Sequence, residues 1–170
     1  WSHILGEAKQ GRLKGKQLRQ LPSVMTDWQS WRTQYSDSTV AALSRTSDNY
    51  TREFYDSPRG FVLGIADDNE AKAWGFDLLK ESPAINDEFR GKPVLAAFDR
   101  ASMTPRLYER TLQSRVLTFR LENGKLTDAE TGSTWEPVTG RAISGSFADQ
   151  FLKPLTAIVS YRHVWLKFHP

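Results

Sequence analysis

Apolar residues in this chain come in short runs set off by turn residues. Residues 60–66 (GFVLGIA) are almost wholly apolar, which predicts a buried strand. Asp67, Asp68 and Asn69 predict a turn, and residues 71–76 return the chain as the second half of a hairpin. Residues 84–89 and 93–98 predict another hairpin about Arg90, Gly91 and Lys92, and strands at 106–112 and 114–121 follow. The Asn123–Gly124 pair is a strong type I′ hairpin signal, so residues 126–130 pair back. Thr131, Gly132 and Ser133 then turn the chain into Trp135. Residues 39–43 favour a short strand, and 44–58 form a long polar connection. Residues 78–80 are too few to assign.

Two stretches, 1–36 and 135–170, overlay without a gap. Trp1 meets Trp135, Gly6 meets Gly140, Ala8 meets Ala142 and Gly11 meets Gly145. Leu18 meets Leu152, Leu21 meets Leu155 and Trp31 meets Trp165. A register kept from one Trp to another, with the glycines in place, reads as an internal duplication. Each copy ends in a predicted helix. Thr26 is the expected cap of the first, with Gln29 as its capping-box partner, and Ser160 holds the same place in the second. Trp28 and Trp31 share a face of the first helix, and Val164, Trp165 and Phe168 follow the second cap; both read as core-packing helices. The expected fold is mainly β with a minor helical part: internally duplicated antiparallel β-hairpin units, each closed by a short helix. One domain spans 1–170, with 1–36 the C-terminal part of repeat one, 37–83 connecting strands and 84–170 repeat two.

Composition narrows the function classes. With 39% hydrophobic residues, six Trp and nine Phe, the 170-residue chain has enough apolar surface to bury a core. No cysteine occurs, so disulfides, thiol catalysis and Cys-ligated metal or iron–sulfur sites are excluded within these residues. No apolar run approaches the roughly 18 residues that cross a bilayer. The net charge of +3 does not demand a nucleic-acid partner, and none is expected. Lys9, Arg12, Lys14, Lys16 and Arg19 cluster, but the other copy keeps only Arg141 and Lys153 there. The cluster therefore reads as a solvated hairpin rather than a binding patch. The chain opens on Trp1, inside a motif whose other copy has a full upstream half, so part of repeat one is expected to be missing.

Candidate chemistry is sparse. His3, His163 and His169 share no ligand spacing, so no metal and no cofactor are expected. Neither a nucleophile elbow nor a phosphate loop occurs. Among the carboxylates, Asp99 with Arg100 closes a strand, and Asp128 precedes the turn that carries Ser133 and Trp135. A carboxylate, a hydroxyl and an indole at one turn make either a polar pocket or the hydrogen bonding of a tight corner, and the corner is favoured. Asp99, Arg100 and Asp128 are the catalytic candidates. Trp1, Tyr50, Tyr55, Ser133 and Trp135 are the binding candidates, Tyr50 and Tyr55 because aromatics in a long connection often bind something.

The order of several short motifs resembles DUF3179, a bacterial and archaeal family of unknown function. The residues that carry it are Ala71-Lys72-Ala73-Trp74, Ile85-Asn86-Asp87, Gly91-Lys92-Pro93-Val94, Ala97-Phe98-Asp99-Arg100, Thr131-Gly132-Ser133-Thr134-Trp135, Gly140-Arg141-Ala142 and the ending Trp165 to Pro170. The resemblance spans essentially the whole chain. It implies a secreted, periplasmic or lipid-anchored protein built from two repeats, the first beginning upstream of Trp1 with a Cys-Pro-x-Cys-like segment. The matching stretch here, 94–98, has no Cys, so no redox or metal role carries over. The expected function is an extracytoplasmic binding or scaffold module, an accessory part of a larger envelope assembly. Its partner is then the missing N-terminal half or a neighbouring protein chain, with at most peripheral association with an envelope complex. The alternatives are a hydrolase-type enzyme with a site near Asp99, Asp128 and Trp135, and a metal or redox accessory protein whose ligands lie upstream.

Overall fold

A computed structural model of the protein describes residues 1–2, 6–41, 57–67, 70–122 and 125–170. The chain is mainly β, in several antiparallel sheets. After helix α1 (Trp28–Gln34), strands β1 (Phe61–Ala66) and β2 (Ala71–Gly75) form the first hairpin. Asp67 closes it: its amide donates to the Glu70 carbonyl (2.9 Å) and its carboxylate accepts from the Glu70 amide (3.1 Å). The other edge of β1 pairs with β13 (Ile158–Tyr161), Phe61 opposite Tyr161. β1 has neighbours on both edges and cover on both faces, Phe61 and Leu63 in a core and Gly64 under Trp165, so residues 61–64 are all buried.

A second sheet runs in the order β12 (Lys153–Pro154), β5 (Thr104–Glu109), β4 (Lys92–Asp99), β3 (Ala84–Phe89). Arg90 and Gly91 make the β3–β4 turn with positive φ at both positions, the geometry that suits a two-residue hairpin. The period of two along β4 feeds two cores. Val94, Ala96 and Phe98 pack with Phe61, Leu63, Trp74, Phe76 and Leu79. Leu95 and Ala97 point the other way, into a cluster with Tyr108, Phe119, Leu126, Trp135 and Leu152. The third sheet, β11 (Ala142–Ser144), β10 (Thr134–Trp135), β9 (Lys125–Asp128) and β8 (Phe119–Glu122), belongs to that second core. A short ribbon pairs β6 (Thr111–Leu112) with β7 (Arg115–Val116), and helix α3 (Arg162–Phe168) follows β13.

Several local expectations need correction. A helix, α2 (Phe76–Glu81), follows β2 directly, takes Phe76 from the strand expected at 71–76 and includes the unassigned residues 78–80; Phe76 and Leu79, three apart, are buried on one face. The strand expected at 106–112 breaks at Arg110 into β5 and β6, and the one at 114–121 into β7 and β8. Asp27, not Thr26, caps α1 by accepting from the Ser30 amide (2.8 Å). The Thr26 hydroxyl is engaged elsewhere, accepting from Thr104 (2.7 Å). The cap of α3 is Tyr161, with no side-chain bond, rather than Ser160. Trp165 of α3 is buried, but α1 buries no residue, so only the second helix is a core helix. Residues 39–41 form no strand; the rest of that expected strand, the connection to residue 56, Asp68, Asn69, Asn123 and Gly124 lie outside the described residues.

The two similar stretches share a backbone pattern in the Trp1-on-Trp135 register. The Ser2 amide donates to Glu7 and Glu136 to Arg141, both at 2.8 Å; Leu18 donates to Gly6 (2.8 Å) and Leu152 to Gly140 (2.9 Å). The bridge Glu7–Gln17 recurs as Arg141–Phe151. The helices start and stop at matching residues, and each Trp packs on its C-cap ring at 4.4 Å, Trp31 on Tyr35 and Trp165 on His169. Exposure differs sharply. Trp135 is 2% exposed and Trp1 53%; Leu152 is 2% exposed and Leu18 54%.

Candidate functional site

Pro22 has no N–H to give, and among the described residues Val24, Met25 and Thr26 make no backbone hydrogen bond. Side chains tether this segment to β5 instead. Arg106 Nη1 donates to the Ser23 carbonyl (3.0 Å), and Thr104 donates to Thr26. Asp27 then starts α1, accepting from both the amide and the hydroxyl of Ser30 (2.8 and 2.6 Å). The Ser30 hydroxyl bond is the chief reason its carboxyl stays below the ordinary carboxylate range. One turn on, Trp31 Nε1 donates to Ser38 (2.8 Å).

Across from this segment stands the corner at residues 136–139. Glu136 accepts from the amides of Val138 (2.9 Å) and Thr139 (2.5 Å). The buried Tyr108 hydroxyl donates toward the carbonyls of Pro137 (2.9 Å) and Val138 (2.7 Å). Burial pushes that phenol well above its ordinary range, so it remains a donor at any physiological pH. The Arg106 guanidinium lies 5.6 Å from the Tyr108 ring.

Between the two walls is a groove of about 660 Å³, lined by residues 22–28, Trp31, Tyr35, Arg106, Val138 and Thr139. Trp28, Trp31 and Tyr35 supply its aromatic surface. Its carboxylate, Asp27, is committed to Ser30, and Arg106 to Ser23 and the Tyr108 ring. The groove thus offers apolar contact and main-chain hydrogen bonding, the means by which one polypeptide holds another. Sequence reasoning missed it because Arg106 and Val138 reach it from distant elements. The overlay held a clue: Val24 falls on Ile158, a residue of a paired strand.

The expected site residues fall in separate places. Asp128, Ser133 and Trp135 do meet. Asp128 accepts from the Thr131 amide (2.7 Å), the Thr131 hydroxyl (2.8 Å) and the Trp135 indole (2.9 Å), and is fully buried. The Ser133 hydroxyl is shared with Thr131 (2.7 Å) and accepts from the Phe147 amide (3.2 Å). This arrangement holds a corner. Asp99 accepts from the amide of Ser102 (3.0 Å) and from its hydroxyl, and also borders a cavity of about 310 Å³ with Trp31 and Glu136. Arg100 donates to the carbonyls of Lys80 (2.7 Å) and Glu81 (2.9 Å), satisfying the C-terminal end of α2. Trp1 stands exposed, and Tyr50 and Tyr55 lie outside the described residues. Among the described residues no group of three His, Asp or Glu side chains is placed to hold a metal ion, and no helix is long and apolar enough to cross a membrane.

A family model described as "Protein of unknown function (DUF3179)" matches the chain in two stretches, residues 1–61 and 56–170. No curated protein and no solved structure matches.

Proposed function

The chain belongs to the DUF3179 family, and from that premise we propose that it is an extracytoplasmic binding or scaffold module that grips another polypeptide through residues 1–36 and works as an accessory part of a larger envelope assembly. One observation carries the reading. Trp1, Leu13 and Leu18 are 53%, 41% and 54% exposed, while their counterparts Trp135, Phe147 and Leu152 are core residues. Leu21, Met25, Trp28 and Tyr35 extend the exposed apolar surface toward the groove. Exposed large apolar side chains gathered in one stretch of the chain are the usual mark of an interaction surface. The location outside the cytoplasm rests on the family resemblance, and association with the envelope would be peripheral.

A photo-crosslinking amino acid at Leu18 or Leu21, in the host cell, tests the reading against a control at the exposed polar Glu122. Protein adducts, mapped by peptide sequencing, are expected from Leu18 and Leu21 and not from Glu122. Their absence at both face positions, or equal yield at all three, would remove the proposal.

A further inference from the structure

We infer that the groove beside α1 is the berth of a β-hairpin strand from a separate partner polypeptide, which pairs antiparallel with residues 24–27 and sets a glycine against Trp31. The inference names the partner of the face described above and so rests on that reading. Its ground is what occupies the equivalent place in the other copy. There Ile158, Val159, Ser160 and Tyr161 pair with Gly64, Leu63, Val62 and Phe61 of β1. Their counterparts are Val24, Met25, Thr26 and Asp27, whose first three residues make no backbone hydrogen bond among the described residues. A segment without backbone partners among the described residues, beside an apolar groove, is the receiving half of strand addition.

The cavities differ accordingly. Thr156, Ile158, Trp165 and His169 line a space of about 300 Å³ that Gly64 and Ala66 of β1 wall on another side. Pro22, Val24, Trp31 and Tyr35 line the larger groove of about 660 Å³, with no strand in that place among the described residues. Gly64 specifies the side chain that the visiting strand must lack. A Cβ built there falls 2.2 Å from Cζ3 of Trp165, so only glycine lets the backbone lie on the indole. Trp31 keeps the same helix position and the same 4.4 Å contact with its C-cap ring. The berth also continues an existing interface. Val24 and Met25 share a cavity with Ile158, Val159 and Leu63, so an added strand would extend the packing already made by β13 on β1. The β1 strand of a second copy does not supply it, because both edges of β1 are taken.

The probe is the segment that fills the equivalent place, a peptide of residues 59–67, beside the same peptide with Gly64→Val. Binding is read by anisotropy of the labelled peptide, and hydrogen exchange reads the amides of residues 24–27. The native peptide is expected to bind at least about tenfold more tightly than the variant and to slow exchange at 24–27. Trp31→Ala, in a helix that buries no residue, should weaken binding while leaving the circular dichroism unchanged. No binding, equal binding of both peptides, or binding without protection at 24–27 would overturn the inference. The two readings fail separately. Crosslinks from Leu18 without protection at 24–27 remove the strand and leave the module; protection without crosslinks leaves the berth and removes the assembly.

Discussion

Trp135 donates its indole N–H to Asp128 at 2.9 Å, and both residues are buried. Trp74 makes the same bond to Asp87 at 3.0 Å. An indole paired with a carboxylate thus pins a strand in each core. Trp135→Phe keeps most of the packing but leaves a buried carboxylate with one donor fewer. It should cost about 1–3 kcal/mol in chemical denaturation. Trp1→Phe, at the exposed counterpart, should stay within about 0.5 kcal/mol.

The same asymmetry sets a second pair. Leu152→Ala removes a side chain from a filled core and should destabilise the chain by about 2–5 kcal/mol. Leu18→Ala should change stability by no more than about 0.5 kcal/mol. Equal losses at the two positions would mean that residues 1–36 are covered when the chain is alone.

Acid should expose the Asp87 network. Burial raises the pKa of its carboxyl, but the Lys72 ammonium (2.6 Å), the Glu88 amide (2.8 Å) and the Trp74 indole outweigh that and hold it below the ordinary value. A carboxyl with a lowered folded-state pKa stabilises the fold above its unfolded-state value, and the contribution is lost as pH falls through the folded-state value. Asp87→Asn should therefore be destabilised at pH 7, by about 1–3 kcal/mol. Its melting temperature should converge on that of the wild type below about pH 4. A gap that persists undiminished into acid would rule out the charge as its cause.

Gly140 and Gly91 separate backbone strain from crowding. Their φ angles are +71° and +70°. A Cβ on Gly91 meets nothing within 4 Å, whereas one on Gly140 falls 2.6 Å from Cε1 of Tyr108. Gly91→Ala should cost about 1–2 kcal/mol, the left-handed penalty alone. Gly140→Ala should cost about 1–3 kcal/mol more as the ring is displaced. Equal costs would show that the Tyr108 ring yields freely.

What could be read from the sequence was local. The continuous apolar run gave β1, Arg90 and Gly91 gave the β3–β4 turn, and Asp128 with Thr131 and Trp135 gave the corner, all from neighbours in the chain. Helix α2 was hidden because it has only six residues and its cap, Gly75, has no side chain to announce it. The cap of α1 was misplaced by one residue because the Thr26 hydroxyl bonds Thr104, a partner with no local signal. The groove was illegible for the same reason: it exists only where Arg106 and the corner at Val138 come to stand beside residues 22–28.

The pairing of Phe61 with Tyr161 sets an order of events in folding. The β1–β2 hairpin emerges from the ribosome well before β13, the strand that closes its outer edge. Contacts so distant in sequence form slowly, and unpaired apolar edges are prone to aggregate. Throughout synthesis of the intervening residues, β1 offers a bare backbone edge beside a glycine. A nascent chain halted before residue 158 would carry that edge into solution, where a holdase chaperone would recognise it. Whether residues 158–161 reach β1 is then the step on which quality control would turn.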